Sequence, residues 1–185
     1  AITGKISAGY QWSGDAVYIM QQAEANDVEL NFAIPEECTN MYFDGWAMLK
    51  SGINGNSEKK KAAEAFVNFV SMPENAVRNM YYIGYTSVIS GGQSPVIYDY
   101  LKWNYGLESL MEEDDTISEA DAIDYSLGYF FSGVSNDSRY ILRTSKAQTE
   151  GMLSAQYPTE EVMHRSAIMQ YFDNDETARI NQMWI

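Results

Sequence analysis

The chain has few basic residues. Twelve lysines and arginines stand against 26 aspartates and glutamates, which gives a net charge of −14. This balance argues against nucleic acid as a partner, because binding its phosphates requires a basic footprint. A negative field concentrates cations instead, although many soluble proteins are acidic for solubility alone.

Cysteine and histidine are almost absent, with Cys38 and His164 as the only examples. No disulfide can form within such a chain, and nothing around Cys38 resembles a nucleophile turn. A zinc site would depend on carboxylates for most of its ligands. The acidic run 112–115 lacks the alternating ligands and the glycine of an EF-hand loop, which favours a solvated charge run over a calcium site. We therefore predict no catalysis, no cofactor and no metal.

Long apolar runs are missing too. No stretch approaches the roughly 20 residues that span a bilayer. The first residues also lack the basic and then apolar pattern of a secretory leader, which leaves open an intracellular protein or a mature or trimmed product. The 185 residues are 45% hydrophobic and 21% charged, so we expect a core in one domain or two small lobes.

Periodicity predicts an α/β protein in which a strand–helix–strand pattern precedes further helices. Strands are predicted at 5–12, 27–35 and 41–50, the second from the alternation of apolar residues at 28, 30, 32 and 34. Residues 136–156 stay ambiguous. Helices are predicted over 14–26, 57–72, 73–84, 94–106, 118–131, 158–172 and 173–185.

Polar residues and glycines predict several helix ends. Ser13 is the expected N-cap of the first helix, with Asp15 in its first turn, where the helix dipole favours an anion. The other expected caps are Ser57 and Thr159 at N-termini, Gly84 at a C-terminus, and a capping box of Asp173 with Glu176.

Two stretches combine an aromatic residue with a carboxylate: Trp12 with Asp15, and Tyr42 with Asp44. An aromatic face attracts a cation by about 0.5–2 kcal/mol, and a carboxylate adds a charge-assisted hydrogen bond to an ammonium. On a strand, Tyr42 and Asp44 would point to the same face. Ordinary interpretations remain: Trp12 as core, Asp15 as a helix-terminus charge, and Tyr42 as packing. Asp44 interrupts the apolar run 41–49, so it needs a partner or a wet cleft.

Several spaced stretches resemble the C-terminal half of the polyamine-binding (spermidine/putrescine) proteins of ABC importers. They are YQWSGDAVYI (10–19), AIPEECTNMYFDGWAMLK (33–50), AAEAFVNFVSMPENAVRNMYYIGYTS (62–87) and QYPTEEVMHRSAIMQYF (156–172). Residues 95–150 match least. The resemblance implies the C-terminal portion of a two-lobed, type II periplasmic-binding-protein fold. Residues 1–40 would belong to the second lobe, 41–94 would return into the first, and 95–185 would be a mainly helical segment that packs on the lobes.

The resemblance also implies ligand-binding residues. Trp12 matches an aromatic residue that stacks on the polyamine chain, and Tyr42 lies where the family has an aromatic residue, often tryptophan. Asp44 matches the carboxylate that receives an ammonium. Gln170 matches a family glutamine with the spacing one residue off, so Met169 competes for that place.

Two further positions carry no implied ligand role. Cys38 stands where the family commonly has glycine, and no chemistry follows from that difference. Asp15 has no family ligand that we can match to it, and helix capping is its better interpretation.

The function implied is the solute-binding component of an ABC importer, with putrescine or spermidine as ligand and a membrane permease as partner. Its location would be periplasmic or extracytoplasmic, with membrane association through the transporter or an upstream anchor. Family members carry a whole first lobe ahead of these residues, so we expect this chain to form a homo-oligomer or to pair with a missing N-terminal segment. The alternatives are a different solute, such as a sugar or another cationic amine, and a truncated chain that binds no solute.

Overall fold

Helices form most of the regular structure in the computed structural model, which describes residues 3, 5–37 and 39–184. Short 3-10 turns lie at Glu119–Asp121 and Ser138–Tyr140. The α-helices are α1 (Ser13–Glu24), α2 (Lys50–Ile53), α3 (Ser57–Val70), α4 (Pro73–Ile83), α5 (Val96–Tyr105), α6 (Leu107–Glu113), α7 (Gly128–Phe131), α8 (Lys146–Thr149), α9 (Met152–Gln156), α10 (Glu160–Arg165) and α11 (Asn174–Met183).

The strands of the described residues form two separate two-stranded sheets. β1 (Asn40–Met41) pairs in parallel with β4 (Ala167–Ile168). β2 (Ala122–Ser126) pairs with β3 (Ile141–Ser145) in antiparallel register, with Asp124 opposite Arg143. The chain is therefore a mixed α/β protein, as its periodicity predicts.

The core lies where α1, α4, α5 and α9 meet the β2–β3 sheet. On α1 the buried residues follow helical spacing, since Val17 and Met20 fall on one face with Ala16 and Ala23. Leu101 from α5 and Leu153 from α9 are completely enclosed. These contacts make α1 a fixed support, and its N-terminus carries Trp12.

A buried glutamine ties the chain after α4 to this core. The Gln156 side chain donates from Nε2 to the carbonyl oxygen of Gly84 at 2.8 Å and accepts from the Tyr105 hydroxyl at 2.7 Å. The Thr86 hydroxyl donates to the Gln156 carbonyl oxygen at 2.6 Å. Both ends of the buried amide are thereby satisfied, which avoids the cost of an unpaired buried polar group.

The end of α4 packs against the first turn of α1 at very close range. Gly84 ends α4 with φ at 73°, the left-handed conformation expected of a C-cap. A Cβ at Gly84 would lie 2.7 Å from the carbonyl oxygen of Gly14, and one at Gly14 would lie 2.0 Å from the Tyr85 ring. The absence of both side chains lets Tyr85 lie directly over α1.

The predicted strands are mostly wrong as hydrogen-bonded elements. Residues 5–12 form no strand, and 41–50 pair only at Met41. Residues 27–35 also form no strand, although Phe32 donates its N–H to the carbonyl oxygen of Glu150 at 2.9 Å. Burial nevertheless alternates as the pattern predicts, with positions 28, 30, 32 and 34 more buried than their neighbours. The apolar pattern identified the inward face but not a pairing partner.

The helix predicted over 118–131 is also wrong. Those residues form a 3-10 turn, then β2, then α7, because β2 pairs along its whole length with β3 from the ambiguous region. The helix predicted over 158–172 begins at the expected cap, Thr159, but ends at Arg165, where the chain turns into β4. The helices predicted from 14, 57, 73, 94 and 173 are confirmed within a few residues at each end.

Two of the predicted N-caps are wrong by one residue. The N-cap of α1 is Trp12 rather than Ser13, and that of α3 is Asn56, whose side chain accepts from Glu58 N–H and Lys59 N–H. The capping box of Asp173 and Glu176 is confirmed in both directions.

A set of large apolar side chains after β1 and on α3 stays exposed. Phe43, Trp46 and Leu49 are 62%, 68% and 71% exposed. The rings of Trp46 and Phe66 meet edge to face at 5.3 Å, but α3 has no buried residue, so its apolar side chains are uncovered. None of the helices in the described ranges has the length and apolarity of a membrane span. The expected division of the chain near residues 40 and 94 stays a prediction.

Candidate functional site

Three of the four predicted ligand-binding residues line one cleft. Trp12, Tyr42 and Asp44 surround a volume of about 320 Å³ together with Phe43, Ile168 and Met169. Gln170 is exposed and lies outside this lining, whereas Met169, its competitor in the sequence comparison, is part of it. Whether any of them binds a ligand stays a prediction.

Three segments that are distant in sequence position these side chains. Trp12 precedes α1 with an extended backbone, φ −66° and ψ 146°, and its carbonyl oxygen accepts from Ala16 N–H at 2.9 Å. Tyr42 and Asp44 follow β1. Met169 follows β4, and its N–H donates to the carbonyl oxygen of Met41 at 2.8 Å. The parallel pairing of β1 with β4 therefore brings the two walls of the cleft together.

The aromatic wall consists of Trp12 and Tyr42. Their ring centroids are 4.6 Å apart with an interplanar angle of 69°, which is an edge-to-face pair. Trp12 is 44% exposed, so its interpretation as a core residue is wrong. The indole keeps surface available for a ligand.

Asp44 is exposed at the mouth of the cleft. Within the part of the chain that the structure describes, its carboxylate makes no ion pair and no hydrogen bond. Of the two explanations for a carboxylate in an apolar run, the wet cleft therefore applies rather than a protein partner. A negative charge beside two aromatic rings is suited to an ammonium group.

The polar residues that begin α1 contact the site rather than capping the helix. Ser13 is the first residue of α1, and its Oγ lies 3.4 Å from the Tyr42 hydroxyl. Asp15 stands in the first turn as expected, and its carboxylate interacts with the Tyr85 hydroxyl. Partial burial, together with the nearby Tyr42 and Asp15 side chains, raises the pKa of Tyr85 to about 12. Tyr85 is therefore neutral at physiological pH.

The sequence did not predict that Tyr85 contacts Tyr42, or that Ile168 and Met169 together line one side of the cleft. Tyr85 follows the helix-ending Gly84, and that glycine was the available signal, because it brings the next residue back over α1. No sequence pattern signals β4, whose two residues are too few for periodicity.

The other candidate groups that the structure describes lie apart from this cleft. Among the described residues, no cluster of histidine, cysteine, aspartate or glutamate is arranged to hold a metal ion. In the acidic run, Asp114 accepts from the N–H and hydroxyl of Thr116, which makes it part of a turn. His164 is exposed and lies 3.2 Å from Glu160. Cys38 lies outside the described residues.

No protein-family model matches the chain, and no solved structure matches it significantly. The resemblance to polyamine-binding proteins therefore rests on the spaced residues of the sequence alone and stays a prediction.

Proposed function

We propose that the cleft binds a polyamine of the putrescine or spermidine class, as the solute-binding component of an ABC importer. One observation carries the proposal. Two aromatic rings and a carboxylate that has no partner among the described residues, from segments far apart in the chain, line the same cleft. A polyamine presents apolar methylenes between ammonium groups, so rings and carboxylates together match both parts of it.

The charge distribution around the cleft supports a cationic ligand. Besides Asp44, the Asp15 carboxylate lies behind the aromatic wall and reaches Tyr42 through Tyr85. The whole chain carries a net charge of −14, which adds a long-range attraction for a polycation. A neutral sugar could donate hydroxyl groups to Asp44, but it would gain nothing from the long-range field of the net charge.

The remainder of the proposal follows from the family resemblance. The chain would be the C-terminal portion of a two-lobed, type II periplasmic-binding-protein fold, act in a periplasmic or extracytoplasmic location, and deliver its ligand to a membrane permease. In that fold, the first lobe ahead of these residues would supply further contacts to the ligand. We therefore expect this chain alone to bind polyamines weakly or not at all.

Replacing Asp44 with asparagine tests the carboxylate. In the full-length parent protein that the resemblance predicts, Asp44→Asn should weaken spermidine binding by about 1.5–3 kcal/mol, the range for hydrogen bonds to charged groups. Calorimetry with putrescine, spermidine, spermine and maltose measures this, on the parent and on this chain.

Asp124→Asn is the matched control, since Asp124 is exposed on β2 outside the cleft. It removes the same charge and should leave the affinity unchanged. Equal affinities in the two variants would remove Asp44 from the site, and preference for maltose would replace the polyamine proposal with a sugar.

Trp12 should report the ligand by fluorescence. Stacking of methylenes on its partly exposed ring changes the surroundings of the indole, so spermidine should alter the emission of the parent protein. Trp12→Leu should abolish that response, whereas Trp184→Leu, which removes an indole that is 85% exposed and outside the cleft, should retain it. A response that survives Trp12→Leu would contradict stacking at this position.

A further inference from the structure

We propose that Ser13, through its hydroxyl, and Tyr85, through its ring, are positioning residues that hold Tyr42 so that its ring stands edge-on to Trp12 before any ligand binds. The inference deepens the proposed function, because it assigns the pre-organisation of that cleft to a cluster of side chains that do not line it.

Tyr42 needs such support because its backbone has little. The ladder between β1 and β4 ends at Met41 and Ile168. In the described residues, positions 42–48 make no backbone–backbone hydrogen bond of their own. The orientation of the Tyr42 ring therefore depends on its side-chain contacts. The same contacts also help to place Asp44, which lies two residues further along the chain.

Ser13 supplies the first fixed point. Its Oγ is 3.4 Å from the Tyr42 hydroxyl oxygen, and the residue is half-buried in the first turn of α1. The turn is closed by the bond from Ala16 N–H to the Trp12 carbonyl oxygen, so the position of Ser13 is set by the helix. The side chain makes no capping bond, which leaves its hydroxyl for Tyr42.

Tyr85 supplies the second fixed point. Its ring covers Gly14 and lies edge to face with Tyr42, with centroids 6.4 Å apart. The preceding residue is held by the Gln156 bond to the Gly84 carbonyl oxygen. On its other side the Tyr85 hydroxyl interacts with Asp15. Tyr42 is thus held between Ser13 on α1 and Tyr85 after α4, rather than by the segment that follows β1.

A wall that is ordered in advance costs less entropy when a ligand binds. Phenylalanine at position 42 would keep the ring and its contact with Tyr85 but lose the hydroxyl contact with Ser13. The hydroxyl is therefore a positioning feature, and it distinguishes tyrosine here from the tryptophan common in the family that the sequence resembles.

The first measurement needs no ligand. In a form of this chain carrying Trp46→Phe, Trp103→Phe and Trp184→Phe, Trp12 is the only indole. Adding Tyr42→Phe or Ser13→Ala should raise the acrylamide quenching and lower the fluorescence anisotropy of Trp12. Ser13→Thr, which restores a hydroxyl, should return both values. Tyr82→Phe, at a ring 78% exposed, is the control and should change neither.

The second measurement is affinity in the parent protein. Tyr42→Phe and Ser13→Ala should each weaken spermidine binding about three- to tenfold, as expected for loss of a neutral hydrogen bond. The double variant should be no weaker than Tyr42→Phe alone, because both remove the same contact. Unchanged quenching and anisotropy in the two single variants, or fully additive losses of affinity, would overturn the positioning role. If the parent binds no spermidine, the proposed function fails, while the ligand-free measurement still decides this inference.

Discussion

Gly84→Ala is expected to destabilise the protein by about 2–5 kcal/mol. Alanine at the observed φ of 73° costs about 1–2 kcal/mol, because the left-handed region disfavours a Cβ. The new methyl group would also lie 2.7 Å from the Gly14 carbonyl oxygen and 3.2 Å from Val17 Cβ, both in a packed interface. Such overpacking adds about 1–3 kcal/mol. Urea unfolding followed by circular dichroism measures the loss.

Gly55→Ala is the matched control. Gly55 has φ of 71°, but nothing lies within 4 Å of the position its Cβ would occupy. It therefore isolates the backbone cost, and we expect a loss of about 1–2 kcal/mol. If the two variants lose the same stability, the close approach of α4 to α1 contributes nothing, and the placement of Tyr85 needs another explanation.

The purified chain is expected to self-associate unless an N-terminal segment covers the residues that follow β1. Trp46 and Leu49 are mostly exposed, and the β1–β4 ladder ends at Met41, before the segment that carries them. Uncovered strand edges and apolar patches are association sites. At about 25 cal/mol per Å², covering a few hundred Å² is worth several kcal/mol before the cost of association. Light scattering across a concentration series measures the result.

The dependence of self-association on salt concentration distinguishes an apolar association from an electrostatic one. Two copies with a net charge of −14 each repel, so screening should strengthen an apolar association rather than weaken it. Trp46→Ser with Leu49→Ser should shift the equilibrium toward monomer, while Tyr82→Ser, an exposed ring on α4, should not. A stable monomer that binds spermidine tightly would contradict both this prediction and the expected weakness of the isolated cleft.

The helices with two chemical end signals were predictable from sequence. α4 begins at Pro73, whose fixed φ suits the first turn of a helix. Its C-cap is Gly84, which adopts the left-handed conformation that glycine favours. Strands were less predictable, because a strand is defined by a partner that the pattern does not contain. Residues 122–126 fitted a helical pattern until their partner at 141–145 was known. At positions 28–34 the burial of the side chains alternates as the sequence pattern predicts, but these residues form no strand.

The candidate site divides in the same way. Chemistry and family resemblance pointed to Trp12, Tyr42 and Asp44, because an aromatic residue near a carboxylate has meaning within one segment. The contacts of Ser13 and Tyr85 were not predictable, since they depend on how closely α1 and α4 approach. Ser13 illustrates the limit, because local rules assign its hydroxyl to the helix and the tertiary structure gives it to Tyr42.

The parallel ribbon of β1 and β4 has a consequence for the order of folding. It joins Met41 to Ile168 across most of the chain, and the entropy lost in closing a loop grows with its length. Only two residue pairs repay that cost, whereas α1 and α4 form from local contacts and share the core. We therefore expect the ribbon to form last and to open first. Its opening would take Ile168 and Met169 away from the cleft and leave Trp12 in place on α1. Trp12 would then be the permanent wall of the cleft, and Ile168 with Met169 the reversible wall.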